Sequence, residues 1–319
     1  MEHIDCYLCH HKDNSLLYSS LPDRQLNYND RQFTFVKCNH CGLIYQSPRP
    51  TKDEILIYYP DTYDSYDIPN SHHNSWFTQI AYDYGQRKRS HIITRYKAKG
   101  RLLDIGCATG AFLVYMRNHQ VNWQLKGVET SPYASQIART QYNLDVFTGS
   151  LEEAKFPDLY FDVVSLWEVL EHLQNPIDTL TEVHRVLKKD GIIVLRVPNG
   201  SSFDARLFKQ YWEGLDPPRH LFVFTPNTIK EVFKKTGFEL LKWYTTPGGY
   251  LAFLLSLKFW LNAQPISGTT TKRLLEYLAH PIARIVSAPL FSLNGLFKIG
   301  AHMVVIAQKT DTPTASNSH

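Results

Sequence analysis

No apolar stretch in this 319-residue chain approaches the roughly 18 uninterrupted residues that a membrane-spanning helix needs. The longest candidate, Leu251 to Leu257, is stopped by Lys258. The first residues, Met1-Glu2-His3-Ile4-Asp5, lack a basic start with an apolar core behind it, so no secretory signal is expected and the predicted location is cytoplasmic. Cysteine is scarce: Cys6, Cys9, Cys38, Cys41 and Cys107. In a reducing compartment so few thiols point to metal binding before disulfides. Charge of one sign is also lacking. The formal net charge is +4, and no basic cluster is interleaved with aromatics, so nothing marks a nucleic-acid groove. There is no internal repeat.

What is present divides into three regions. Residues 1–60 hold four of the five cysteines and run into a Pro- and Tyr-rich stretch, Ser47-Pro48-Arg49-Pro50 through Tyr66. Residues 74–309 read as one α/β domain, entered by an amphipathic helix over 74–98. The Ser/Thr/Pro-rich tail 310–319 is expected to be disordered. Within the domain, strands are predicted at 101–105, 124–128, 145–147, 162–166, 192–197, 238–244 and 302–307. Helices are predicted at 111–118, 132–140, 176–189 and 226–236. Asn175-Pro176 and Thr225-Pro226 put a capping side chain before a proline, and Gly191 and Gly237 stand where those helices should stop. A helical insertion is expected over 246–300, before the last strand.

The first domain strand runs straight into Gly106-Cys107-Ala108-Thr109-Gly110 and then a helix. Such a turn lets the backbone approach a ligand at a helix N-terminus. The spacing is G-x-x-x-G, not the G-x-G-x-x-G of a dinucleotide site. Asp104, at the end of the strand, would repel a diphosphate and favour a cofactor carrying an ammonium and a sulfonium, as S-adenosylmethionine does. Glu129 ends the second strand, where an acid can accept hydrogen bonds from both ribose hydroxyls.

Cys6-Tyr7-Leu8-Cys9 and Cys38-Asn39-His40-Cys41 are two C-x-x-C pairs that together suit a tetrahedral zinc ion. Four protein ligands leave no open position, which makes such an ion structural. A redox C-x-x-C and four unconnected thiols are the rival readings. His10 and His40 adjoin the knuckles and are read as bystanders.

Leu102–Phe112 resembles the first motif of class I S-adenosylmethionine-dependent methyltransferases. Gly127-Val128-Glu129 resembles their second-strand motif, Phe161 through Leu173 their fourth-strand motif, and Val186 through Ile193 the late motif before their fifth strand. The resemblance implies a seven-stranded, mostly parallel sheet flanked by helices, with Asp104, Gly106, Cys107, Gly110 and Glu129 at the cofactor. It further implies that Ser150 and Leu151 border the adenine and that Trp167 lines the pocket. The first 60 residues are similar to zinc ribbons fused to sugar- and surface-polysaccharide-modifying methyltransferases, through Leu21-Pro22-Asp23-Arg24, Cys41 through Tyr45 and Pro48-Arg49-Pro50-Thr51.

Methyl transfer is an in-line displacement, so the chain must supply position and, where needed, a base. His172, after the fourth strand, and His220, in Asp216-Pro217-Pro218-Arg219-His220-Leu221, are the candidate catalytic residues. Each alone reads equally well as a structural imidazole. The Asn/Asp-Pro-Pro-Tyr motif of many nucleic-acid amine methylases is absent: Leu166-Trp167-Glu168-Val169 stands there. The expected acceptor is therefore a small molecule, a saccharide or a lipid-linked, amphiphilic hydroxyl. An RNA methyltransferase gripping RNA by its ribbon and a non-catalytic cofactor-and-zinc module are the alternatives. Residues 250–295 are long in apolar residues, with Lys258, Lys272, Arg273 and Arg284 against Glu276 alone. That pattern fits peripheral contact with the inner membrane surface, a helical cap or a dimer interface.

Overall fold

Leu103 and Ile105 must face one way from a strand and Leu102 and Asp104 the other, and the fold is organised around that alternation. The computed structural model describes residues 1–26, 31–60, 76–246 and 249–311. The chain runs β1 (Asn14–Leu21), β2 (Phe33–Cys38), β3 (Ile44–Gln46), α1 (Trp76–Thr94), β4 (Gly100–Ile105), α2 (Ala111–His119), β5 (Trp123–Glu129), α3 (Pro132–Thr140), β6 (Val146–Thr148), α4 (Leu151–Ala154) and β7 (Phe161–Trp167). A 3-10 turn (Leu170–His172) follows, then α5 (Pro176–Val186), β8 (Leu187–Pro198), α6 (Phe203–Phe208), β9 (Phe222–Val223), α7 (Pro226–Lys235) and β10 (Phe238–Thr245). Three insertion helices, α8 (Tyr250–Asn262), α9 (Gly268–Ala279) and α10 (Pro281–Leu296), precede β11 (His302–Lys309).

The large sheet has seven strands in the order β10-β11-β8-β7-β4-β5-β6. β4 to β8 pair in parallel, and β11 runs antiparallel to both neighbours. On one face Leu103, Ile105, Val164, Leu166, Ile193 and Leu195 pack with Leu180 and Val183 of α5 and Ile229 and Val232 of α7. On the other face Leu102, Val163 and Val194 pack with Ile93 of α1 and Phe112 and Met116 of α2. With both faces covered, the central strands read as near-continuous apolar runs. The chain turns from one side of β4 to the other between β6 and β7, so a crevice opens at the carboxyl ends of β4, β5 and β7.

The second sheet, β1-β2-β3-β9, is antiparallel, and its last strand comes from the other end of the chain. Ile44 pairs with Val223 and Tyr45 with Phe222. Beside this joint Arg219 is fully buried. Its guanidinium donates to Asp216 at 2.9 and 2.7 Å and to Asp23 at 3.1 and 2.8 Å.

Three local expectations change. The helix read as 176–189 ends at Val186, because Leu187 pairs with Phe161 and is already strand. Leu187 suited the helical face only because a buried strand position wants the same side chain. Asn175 makes no side-chain cap, whereas Thr225 does, accepting from Thr228 N. The tail is anchored at its start: Thr310 donates from both its backbone N and Oγ1 to Gly237 O, at 2.9 and 2.8 Å. The rest of the tail, 312–319, the end of the Tyr-rich stretch and the first two residues of the predicted 74–98 helix lie outside the described residues.

Substituting Arg219 by Met leaves two buried carboxylates unpaired and should cost about 3–5 kcal/mol. Asp23→Asn, which leaves the Asp216 pair, should cost less. Equilibrium urea unfolding of both variants checks the order; an Arg219→Met protein as stable as wild type would contradict this account.

Candidate active site

The glycine loop is held in a shape that few side chains tolerate. Gly106 has φ +65° and Gly110 φ +86°. A Cβ on Gly106 would lie 2.5 Å from Val169 Cγ2, and one on Gly110 2.2 Å from Leu144 Cδ1. The loop is tied to β5 by Gly106 N donating to Val128 O at 2.8 Å. Glu129 braces it: its Oε2 accepts from Ala108 N and its Oε1 from Ser131 N, both at 2.8 Å. A carboxylate has about four lone-pair directions, so Glu129 keeps acceptor capacity for a diol while it shapes the loop. Burial, working against these backbone bonds, holds its pKa above the usual range.

Asp104 is 2% exposed, and Ser165 Oγ donates to its Oδ1 at 2.6 Å. Burial pushes its pKa up to about 7, against that hydrogen bond and the charge of Arg89 on α1. A buried acid at the mouth of a glycine cradle, lacking a full counter-ion, fits a cationic ligand. The other expected contacts are less direct. Cys107 turns its thiol into the pocket of Leu113, Ala138, Leu144 and Val146, so it offers only backbone to a ligand. Ser150 caps α4 in a reciprocal pair with Glu153, and Leu151 is buried in the core. Trp167 packs edge-on to Phe112 at 5.6 Å, with Arg89 stacked 5.3 Å from its ring.

The structure brings His172 and His220 together. Their rings meet edge to face at 4.6 Å. His172 Nδ1 lies 3.1 Å from Arg219 O and 2.8 Å from Tyr59 Oη, and His220 Nδ1 lies 2.9 Å from Gly214 O. A carbonyl oxygen only accepts, so these contacts place the proton on Nδ1 of both rings and leave both Nε2 atoms as acceptors. Burial first, then the nearby His220, drives the His172 pKa well below the ordinary value.

Around the pair stands a set of acids that sequence reasoning missed. Glu171 is 1% exposed, and neither of its carboxylate oxygens has a hydrogen-bond partner among the described residues. Glu213 Oε1 and Asp204 Oδ1 are likewise unpartnered. Burial raises all three: Glu171 strongly, Glu213 to about 8 and Asp204 to about 6, with Glu168 adding repulsion for the first two. Glu168, at φ +59°, is instead held charged against its burial by Arg196 at 2.7 Å, with Arg89 adding to it. Glu171 adjoins His172 and could have been suspected from that. Arg89 sits in Arg87-Lys88-Arg89, a run that reads as a solvated face.

The four cysteines also converge. Cys6 and Cys41 Sγ lie 3.4 Å apart, Cys9 and Cys38 3.5 Å, and all four sulfurs lie within 4.8 Å of one another. Tetrahedral Zn–S bonds of about 2.3 Å separate sulfurs by about 3.8 Å, so the set fits one ion. His10 lies at Lys235 and His40 stacks on His11 at 3.9 Å, both off the cluster.

The strand order, the glycine cradle at the carboxyl end of β4 and the acid ending β5 define a methyltransferase-type α/β domain. Residues 72–242 match the family described as a methyltransferase domain, and the chain belongs to it. An uncharacterized methyltransferase of Schizosaccharomyces pombe is 30% identical over 43% of this chain, which spans half of that protein's length. The ubiquinone biosynthesis O-methyltransferase of Haemophilus ducreyi is 26% identical over 59% of this chain and 90% of its own. A crystal structure of an S-adenosylmethionine-dependent methyltransferase from Archaeoglobus fulgidus superposes with a TM-score of 0.49 and 19% identity, over 74% of this chain and 100% of that one.

The raised pKa of Asp104 sets a pH dependence. An acid whose pKa rises from 3.8 to about 7 on folding makes the ligand-free fold less stable as pH climbs through that window. A bound cation stabilises the charged form. Thermal stabilisation by S-adenosylmethionine should therefore grow between pH 6 and 8, and Asp104→Asn should weaken binding about tenfold and flatten the trend. Calorimetric titration at both pH values is the check.

Proposed function

We propose that this chain transfers a methyl group from S-adenosylmethionine to a hydroxyl of a saccharide acceptor, with Cys6, Cys9, Cys38 and Cys41 holding one structural zinc ion. The observation that carries the acceptor reading is the buried group of His172, His220 and Glu171, with Glu213 near it, which offers acceptor atoms in excess of donors. Buried acceptors call for O–H or N–H partners, and a polyhydroxylated molecule brings several. Glu168, which stays charged beside them, disfavours a phosphate backbone there, which argues against RNA. The bacterial and fungal relatives described as ubiquinone biosynthesis O-methyltransferases are consistent with an oxygen acceptor.

The donor, when bound, presents an electrophilic sulfonium methyl for in-line displacement. Gly106 and Gly110 would admit its backbone-close part, Asp104 its positive charge and Glu129 its ribose. On the acceptor side, His220 and His172 present unprotonated Nε2 atoms that can orient a hydroxyl and take its proton. Arg89, stacked on Trp167, places its charge within reach of both Asp104 and Glu168.

A second reading concerns how the acceptor is reached. On α10, Ile285 is 71% exposed and Leu290 65%. Beside it runs an apolar groove of about 1090 Å³, lined among others by Phe203, Leu207, Phe253 and Phe291. The flanking charges, Lys258, Lys272, Arg273, Arg284 and Lys298 against Glu276, complement anionic headgroups. We propose that this face docks on an anionic bilayer carrying a lipid-linked acceptor. Among the described residues no helix is long and apolar enough to cross a membrane.

Transfer of labelled methyl from S-adenosylmethionine to free and lipid-linked saccharides, with transfer RNA in parallel, tests the acceptor. His220→Gln should lower kcat by about 10²–10⁴-fold with donor affinity unchanged; turnover on RNA alone would overturn the reading. Metal analysis should find about one zinc per chain, lost in Cys38→Ser. The double variant Ile285→Glu, Leu290→Glu should no longer float with anionic vesicles, and wild type that never floats with them removes the bilayer.

A further inference from the structure

We infer that Gln46 and Asp23, both from the cysteine-bearing N-terminal segment, are positioning residues for the His172–His220 pair, so that occupancy of the four-thiolate cluster sets the acceptor half of the active site and leaves the donor half untouched. This rests on the acceptor side being where the proposed function puts it.

The segment that carries His220, Asp216 to Leu221, has no strand or helix of its own. Part of its shape is internal, with His220 N donating to Asp216 O at 3.1 Å, and part comes from Leu221 N donating to Glu171 O at 2.8 Å. The rest comes from the N-terminal segment. Gln46 is fully buried. Its Nε2 donates to His220 O at 2.6 Å and to Pro218 O at 3.1 Å, and its backbone N donates to Leu221 O at 2.9 Å. Asp23 takes two hydrogen bonds from Arg219, whose own carbonyl receives the His172 Nδ1 contact. One side chain therefore grips the backbone on both sides of Arg219, and a second grips Arg219 itself. These contacts fix the backbone from which His220 projects and the Arg219 carbonyl that His172 Nδ1 faces.

The cysteines are built into the same strut. Gly42 N donates to Cys38 O and Cys38 N to Leu43 O, closing the second knuckle directly onto β3, which begins at Ile44. β3 is held on its other side by β2, whose last residue is Cys38, through Phe35↔Gln46, Val36↔Tyr45 and Lys37↔Ile44. Without a cation no shared ligand ties the two C-x-x-C pairs to each other, so an empty cluster loosens the knuckle from which β3 starts. Gln46 lies at the far end of that three-residue strand, with little chain in which a displacement could be absorbed.

Among the described residues the donor half shows no such tie. Asp104 is held by Ser165, Glu129 by Ala108 and Ser131, and Gly106 by Val128, all within the domain. The prediction is thus a split between the halves, which general destabilisation would not produce.

The test uses the full chain with no acceptor present, so it succeeds or fails independently of which molecule is methylated. Amide exchange of residues 214–223 is measured with Zn²⁺ added and after chelation, alongside calorimetric titration with S-adenosylmethionine. Chelation should speed exchange in 214–223 at least tenfold while donor affinity changes less than twofold. Gln46→Leu with Zn²⁺ bound should loosen the same residues with metal content unchanged, and its histidine ring nitrogen spectrum should show His220 losing its single tautomer. Asp23→Asn should do the same to His172. Protection of 214–223 that is indifferent to Zn²⁺ and to Gln46→Leu overturns the inference, and so does donor affinity that falls in step with loop protection.

Discussion

The buried guanidinium of Arg219, between Asp23 and Asp216, is the contact on which the active site's geometry depends. A buried charge must be paired with good geometry or it destabilises the fold, so these three residues have little freedom. Satisfying Arg219 brings residues 196 apart in sequence into one ion cluster. It thereby pins the loop that carries His220 and docks β3 beside β9. The β9 strand has only two residues and no stability of its own. It exists because β3 offers it a partner.

The site is best understood as two halves with different supports. The donor half is a product of the parallel sheet: a glycine turn at the switch in strand order, braced by one carboxylate and closed by α1. The acceptor half is assembled from loops and from the N-terminal segment. Rigid elements place groups more tightly than loops do, so the acceptor half needs the additional sheet and the ion cluster to reach comparable order. Loops are also where binding specificity varies most readily on a constant scaffold. Here that variation is held in place by a separate unit, in which the four cysteines converge.

Much of the donor half was legible in the sequence, because its signals are local. Asp104, Gly106 and Gly110 fall within seven residues, and Glu129 ends the next strand. The predicted strands match the observed ones to within a residue or two at most ends, except where Leu187 served strand and helix patterns equally. His172 stood out from its position after the fourth strand and His220 from its loop before the next helix, and the structure brings the two rings together. Asp23, Gln46, Glu171 and Glu213 did not stand out, because what sets them apart is a partner far away or, among the described residues, the lack of one. A glutamate without a counter-ion looks in sequence like any surface acid; only its burial distinguishes it. The pairing of β3 with β9 left no trace either, since two residues show no periodicity.

The acids also bear on selectivity in a way that joins the two halves. Asp104, Glu129, Glu171 and Glu213 are all raised by burial, whereas Glu168 is held charged by Arg196 and Arg89. A site of this kind is close to neutral when empty and becomes negative when something positive enters, because a nearby cation favours the ionised form of each acid. It therefore responds to the sulfonium donor with an attraction that water would screen at the surface. An anionic acceptor gains no such attraction, since its approach only keeps the acids protonated, and Arg196 is already paired with Glu168. Neutral, hydroxyl-rich molecules can donate to the unpartnered oxygens whatever the protonation state of the acids. The same burial that shifts these acids thus admits a cation on one side and selects for hydrogen-bond donors on the other.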